Sequence, residues 1–261
     1  MDKSFLVTIG GFDPTSSAGV TLDLKIFKSF GLYGLAVITA VTAQNPAKFY
    51  ATSELPPTFI KQEFDAISRY SSSFCKTGML HSLPIVEEVA NQLLGIDNLT
   101  FVLDPVIKSS SGATLLDPQA LELLKSDLIP IATLITPNSF EATLLTGVKI
   151  VDIDSMKLAA DKLMQFGAKN ILITGGDLYF EKDIVELLVI EQQFHILKKR
   201  RLDIGSFHGT GCGLSATILS LLANSDSKKI SCELVIKASS YISNILEESQ
   251  TPDQSLMLLN I

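Results

Sequence analysis

The chain has 261 residues, 46% hydrophobic and 19% charged, with a formal net charge of −7. That acidic balance argues against a nucleic-acid partner or an anionic membrane surface, and no apolar run reaches the ~18 residues of a membrane span. Cys75, Cys212 and Cys232 are odd in number and form no CxxC pair, which disfavours a disulfide framework or a zinc site.

Met1 leads almost directly into FLVTIGG, without the basic and apolar regions of a secretory leader. The expected compartment is therefore a reducing cytoplasm. FLVTIG (5–10) is a short apolar run ending at Gly10-Gly11, as a strand buried on both faces requires. Residues 18–30 place Val20, Leu24 and Phe27 at helical spacing, with Gly31 as a stop signal. GLAVITAVTAQ (34–44) reads as a second strand, PPTFIKQEFDAISRY as a helix opened by proline, and FCKTGM as a short strand. Residues 84–94 are helical by the spacing of Ile85, Val89 and Leu93, and TFVLDPV (100–106) is a strand closed by proline.

DPQALELLKSDL predicts a helix with Asp117 as N-cap and Pro118 at its first position. IATLITPN is a strand ending in a turn. Residues 154–166 put Met156, Ala159, Ala160 and Leu163 on one stripe, and NILITGG (170–176) is a strand with glycines at its exit. DIVELLVIEQQFHIL reads as a hairpin, and helices over 211–223 and 233–248 close the chain. The alternation predicts one α/β domain over residues 1–261, a mostly parallel sheet with helices on both faces. Ligands then belong beyond the carboxyl ends of the strands. Six such ends carry glycine, proline or polar residues: Gly10-Gly11, Gln44-Asn45, Gly78, Asp104-Pro105, Pro137-Asn138 and Gly175-Gly176.

Three stretches carry chemistry. In HGTGCG (208–213) glycines stand at a helix start, where unpaired backbone N–H groups hold phosphate and the missing Cβ lets it approach. Cys212 is there either a packing thiol or a site residue. In IGGFDPTSSAGVTLDLKIF (9–27) a glycine-rich turn joins a strand to a helix, and Asp23 is either solvated or paired. In TPNSFEATLL (136–145) Asn138 and Glu141 stand three apart. That spacing suits both a capping box and two oxygen donors for hydrated Mg²⁺. No GxSxG or triad context supports a hydrolase, and the first strand lacks GxGxxG. The basic run Lys198–Arg201 reads as a solvated strand end.

Taken in order, GFDPTSSAGVTLDLKIFKSFGLYG, ITAVTAQN, KTGML, VLDPV, LITPNSFEA, TGGD and HGTGCGLSA resemble the hydroxymethylpyrimidine/phosphomethylpyrimidine kinases of thiamine synthesis. The resemblance implies a ribokinase-like three-layer α/β sandwich. It implies transfer of the ATP γ-phosphoryl group to the alcohol of hydroxymethylpyrimidine, then to its monophosphate, with Mg²⁺ and in a homodimer. It places Gly209 and Gly211 in an anion hole and Cys212 beside the attacking hydroxyl, with Asp104 near the phosphates. Gly11, Asp23, Gln44, Met79 and Val106 would meet the pyrimidine, and Thr174, Gly176 and Thr210 the nucleotide. Asn138 and Glu141 would organise Mg²⁺ through water. Two further readings stand beside this one: pyridoxal kinase activity, and a non-catalytic binder of nucleotide and pyrimidine. The chain departs from the family pattern at Ser16-Ser17 (Gly-Gly), Ser110 (Lys), Thr174 (Lys), Asp177 (His) and Gly213 (Thr).

Overall fold

The structure is a computed structural model that describes residues 5–45, 48–109, 112–176, 178, 182–202, 208–249 and 261. β1 (Phe5–Phe12) is buried except at its two ends. Its alternation separates two cores, Leu6 facing one and Val7 and Ile9 the other. A register shift between Gly10 and Gly11 interrupts pairing with β2 (Tyr33–Asn45), which resumes at Gly11–Ala40 and Phe12–Val41. Between them α1 (Gly19–Ser29) buries Val20, Leu22, Ile26 and Phe27, and also Asp23.

β3 (Lys48–Glu54) pairs antiparallel with β2 and forms an edge strand that the sequence reading did not anticipate. α2 (Pro57–Ile67) starts at proline as expected. β4 (Phe74–Thr77), α3 (Leu83–Leu94) and β5 (Thr100–Leu103) follow. α4 (Ala120–Leu123) begins later than expected and widens into a π turn over Leu124–Leu128. Asp117 is thus not its N-cap, although its Oδ1 accepts the Gln119 N–H at 3.0 Å. β6 (Leu134–Ile135) and β7 (Ile171–Ile173) are shorter than their apolar runs. α5 (Ser139–Thr146) and α6 (Ile153–Gln165) lie between them, each opened by a capping box. β8 (Ile184–Ile190) and β9 (Gln193–Lys199) form the expected hairpin. Glu191 and Gln192 turn it with φ of 50° and 63°, the conformation that a two-residue turn needs. α7 (Thr210–Ala223) and α8 (Cys232–Glu248) complete the order.

The sheet runs β3-β2-β1-β4-β5-β6-β7-β8-β9. β2, β1, β4, β5, β6 and β7 are mutually parallel, while β3 pairs antiparallel with β2, β8 with β7 and β9 with β8. α1, α7 and α8 cover one face with Leu22, Phe27, Leu219 and Ile242, packed on Leu6, Phe74, Val102 and Leu172. α2 to α6 cover the other with Ile60, Ile85, Leu93 and Met156, packed on Ile9, Phe101, Leu103 and Ile171. This double coverage explains why β5 and β7 read as continuous apolar runs. Truncating Phe101, fully buried in that core, would cost about 3–5 kcal/mol.

Candidate active site

The parallel strands all point their carboxyl ends at one edge, and a cavity of about 970 Å³ runs along it. Strand order assigns its two halves. Gln44, Gly11, Met79 and Val106 come from the β2, β1, β4 and β5 exits. Asn138, Thr174 and Gly176 come from the β6 and β7 exits. The start of α7 crosses between them, bringing Gly209, Thr210, Gly211 and Cys212 to the wall.

Gly209 caps α7 in the left-handed region, φ 87°, without a side-chain cap. The first-turn amides of this 14-residue helix therefore face the cavity without intrahelical partners. The loop before α1 meets this start. The Nε2 of His208 lies 3.5 Å from Asp13 Oδ2, and Asp13 Oδ1 accepts the Thr15 N–H at 2.9 Å. Burial works to raise the Asp13 carboxyl, but His208 and Thr15 outweigh it and hold it below the ordinary carboxylate range.

Cys212 is partly exposed to the cavity. The Gly19 N–H and the Asp104 carboxylate stand beside its sulfur. Burial, then the negative charge of Asp104, push this thiol well above its ordinary range. The site thus holds less thiolate at neutral pH than the few per cent of a free cysteine. Below the wall lies a group that sequence reasoning missed. Lys76, fully buried in β4, donates to Asp23 Oδ2 at 2.9 Å and stands 3.8 Å from Asp104 Oδ2. The signal was a lone lysine inside FCKT, a strand that had to be covered on both faces.

Asp23 corrects an expectation. It is absent from the cavity wall, because the Thr8 hydroxyl and the Lys76 ammonium draw its carboxylate into the sheet. The other sequence-derived site residues, Gly11, Gln44, Met79, Asp104, Val106, Asn138, Glu141, Thr174, Gly176, Gly209, Thr210, Gly211 and Cys212, all line the cavity.

The Asn138–Glu141 pair is a capping box in full. Asn138 Oδ1 accepts the Glu141 N–H at 2.8 Å, and Glu141 Oε2 accepts the Asn138 N–H at 2.9 Å. Glu141 Oε1 accepts the Ile107 N–H at 3.3 Å. No group of three or more metal-ligating side chains occurs among the described residues. The donor set therefore fits a hydrated Mg²⁺ carried on phosphates, not an all-protein cage.

At the far end the basic run is not simply solvated, since Lys199, Arg200 and Arg201 line the cavity. Lys199 donates to Glu186 Oε1 at 2.6 Å and to the Ser239 hydroxyl at 2.8 Å. The Arg201 guanidinium holds the carbonyls of Gly176 and Leu178. Lys108 also lines the wall, its Nζ 4.5 Å from the Phe140 ring centre. Ser110 and Asp177 lie outside the described residues.

The sequence pattern of the family described as phosphomethylpyrimidine kinase matches residues 13–260. The thiamine biosynthesis bifunctional protein ThiED of Geobacter sulfurreducens is 36% identical over 249 residues, 95% of this chain and 50% of its own length. The chain thus spans about half of that bifunctional relative. Among solved structures, the phosphomethylpyrimidine kinase of Clostridium difficile superimposes with TM-score 0.79 at 36% identity, covering 93% of this chain and 99% of that one. The pyridoxal kinase of Staphylococcus aureus in complex with ADP reaches 0.89 at 26% identity, covering 100% and 94%. The three-layer sandwich is accordingly of the ribokinase-like kind. Since the match spans nearly all the elements that build the cavity, this chain belongs to the phosphomethylpyrimidine kinase family.

Proposed function

We propose that the chain is an ATP-dependent kinase of hydroxymethylpyrimidine and then of its monophosphate. The observation that carries this reading is the placement of the α7 amides. They stand between a small polar–apolar pocket (Gly11, Gln44, Met79, Val106) and the phosphate-side loops that carry Asn138 and Thr174. An alcohol in the pocket would meet a γ-phosphoryl group from the other half directly over Gly209–Cys212. Phosphoryl transfer asks for this kind of positioning and charge neutralisation, with little covalent work by the protein.

On this reading Asn138 and Glu141 would hold a Mg²⁺ ion through water, and that ion would supply charge neutralisation at the phosphates. Residues 1–261 act as one kinase domain, as the single sheet supports. Homodimer assembly and a cytoplasmic setting remain part of the same proposal. No helix among the described residues is long and apolar enough to cross a membrane.

A second reading, pyridoxal phosphorylation, is favoured by the higher superposition onto the Staphylococcus aureus pyridoxal kinase. An ADP-release assay with Mg²⁺ across hydroxymethylpyrimidine, its monophosphate and pyridoxal decides between them. The highest kcat/KM is expected for the pyrimidines. A clear pyridoxal preference would select the second reading. Binding of ATP and pyrimidine without ADP formation would leave a non-catalytic binder.

A further inference from the structure

Lys76 is 0% exposed, and Asp23 and Asp104 are 1% and 4% exposed, so one cation and two carboxylates share a buried site. Stability alone does not call for this arrangement, because well-packed apolar residues often replace buried ion clusters at no loss. The two carboxylates differ in what they face. Asp23 is turned inward: its Oδ2 takes the Thr8 hydroxyl and the Lys76 ammonium, and its Oδ1 has no partner. Asp104 reaches the cavity wall, where it accepts the Ser215 hydroxyl at 3.0 Å and stands beside the Cys212 thiol, which lines the same cavity. With both carboxylates ionised, the cluster carries one negative charge beyond its cation, and that excess emerges beside the thiol.

We propose that Lys76 is a positioning residue for phosphoryl transfer. It holds the Asp104 carboxylate against Cys212 so that the acceptor's proton passes through the sulfur to Asp104. This rests on the kinase reading above. In the step, the acceptor oxygen bonds to the γ-phosphorus as the bond from that phosphorus to the leaving oxygen of ADP breaks. The acceptor's proton goes to Sγ while the proton already on Sγ goes to an Asp104 oxygen. The sulfur ends as it began, a thiol, and Asp104 later returns its proton to water. No free thiolate is needed, which suits a sulfur sitting beside a carboxylate.

The groups facing Asp104 are Lys76 from β4, Asp23 from α1, and Cys212 and Ser215 from α7. Burial raises the Asp104 carboxyl, the Lys76 charge lowers it and the Asp23 charge raises it again. The acid limb of the kcat profile, which reports ionisation of Asp104, must therefore respond in opposite directions to its two neighbours. With Lys76→Met the limb moves to higher pH, and kcat at neutral pH falls about tenfold or more with both KM values within about threefold. With Asp23→Asn, which keeps shape and hydrogen bonds, the limb moves to lower pH.

A measurement independent of turnover accompanies these. Peptide-resolved alkylation of Cys212 by iodoacetamide should speed up about threefold or more in Asp104→Asn at about pH 8, because a negative neighbour is removed. If Lys76→Met does not fold, Asp23→Asn decides. An unmoved acid limb in Asp23→Asn, or an unchanged alkylation rate in Asp104→Asn, overturns the relay in an active enzyme. A wild-type protein that releases no ADP with any of the three acceptors instead removes the kinase reading, and the relay with it.

Discussion

The Cα of Gly209 is packed so closely on the Ser17 carbonyl that a Cβ at 209 would lie 1.8 Å from that oxygen. This contact joins the loop before α1 to the start of α7, and the His208–Asp13 pair runs alongside it. Any side chain at 209 must push one loop away and also occupy φ 87°, which costs an L-residue about 1–2 kcal/mol. Gly209→Ala should therefore fold with a lowered Tm and displaced anion-hole amides. We expect kcat to fall about 10²-fold or more, as when an oxyanion donor is lost. Retained kcat in a folded variant would show that these amides do not contact the transferred group.

The raised Cys212 thiol gives a chemical prediction with a definite sign. A thiol raised by burial and a nearby carboxylate is more fully protonated at any given pH, so it reacts more slowly with alkylating agents. At about pH 8 its alkylation should be at least about tenfold slower than that of free cysteine. Cys75, pushed up to about 12 by burial, should be slower than an ordinary thiol for the same reason. Cys212→Ser should lower kcat about tenfold or more if the sulfur carries the proton. A fall of less than about threefold would leave the residue a packing role.

Much of this site was legible because its signals are local. Glycines before an apolar helix, and strands that stop at glycine, proline or amide residues, declare the sheet edge that borders the cavity within a few residues of chain. The strand–helix alternation did the same for the layers. What could not be read depends on distant partners. Lys76 meets Asp23 and Asp104 only after β1, β4 and β5 have paired, so its charge has no local explanation. Asp23 was assigned to the wrong neighbour for the same reason. The basic strand end reads as solvated until β9 pairs with β8 and Arg201 meets the loop after β7. β3 lacks a continuous apolar run because it is an edge strand with mostly exposed side chains. Asn138 and Glu141 show the converse: the local reading, a capping box, is what the geometry contains.

Ser16 marks a departure from the family pattern that has a structural consequence. Its φ of 57° is left-handed, in the position where the resemblance expects glycine. Glycine occupies that region without a Cβ penalty but loses more freedom on folding. The two terms leave Ser16→Gly stabilising by about 0.5 kcal/mol. Chemical denaturation should show that gain at unchanged m-value. A destabilised variant would mean that the serine side chain, not the backbone, holds the loop.

Arg201 yields the last prediction, and it concerns the nucleotide half alone. Thr174 stands where the resemblance expects lysine, so that position contributes no cation. The loop after β7 is held from two sides. The Thr174 N–H donates to the Pro137 carbonyl at 3.0 Å, and Arg201 donates to the carbonyls of Gly176 and Leu178. A planar guanidinium can hold both carbonyls at once, whereas a lysine ammonium acts as a point charge. Arg201→Lys keeps the positive charge at the cavity but loosens the loop. We expect KM for ATP to rise about three- to tenfold, the loss of roughly one hydrogen bond, with KM for the alcohol unchanged. Equal rises in both KM values would place the effect on the whole cavity and refute a clamp specific to the nucleotide side. An unchanged KM for ATP would show that charge, which the variant retains, is all that this position supplies.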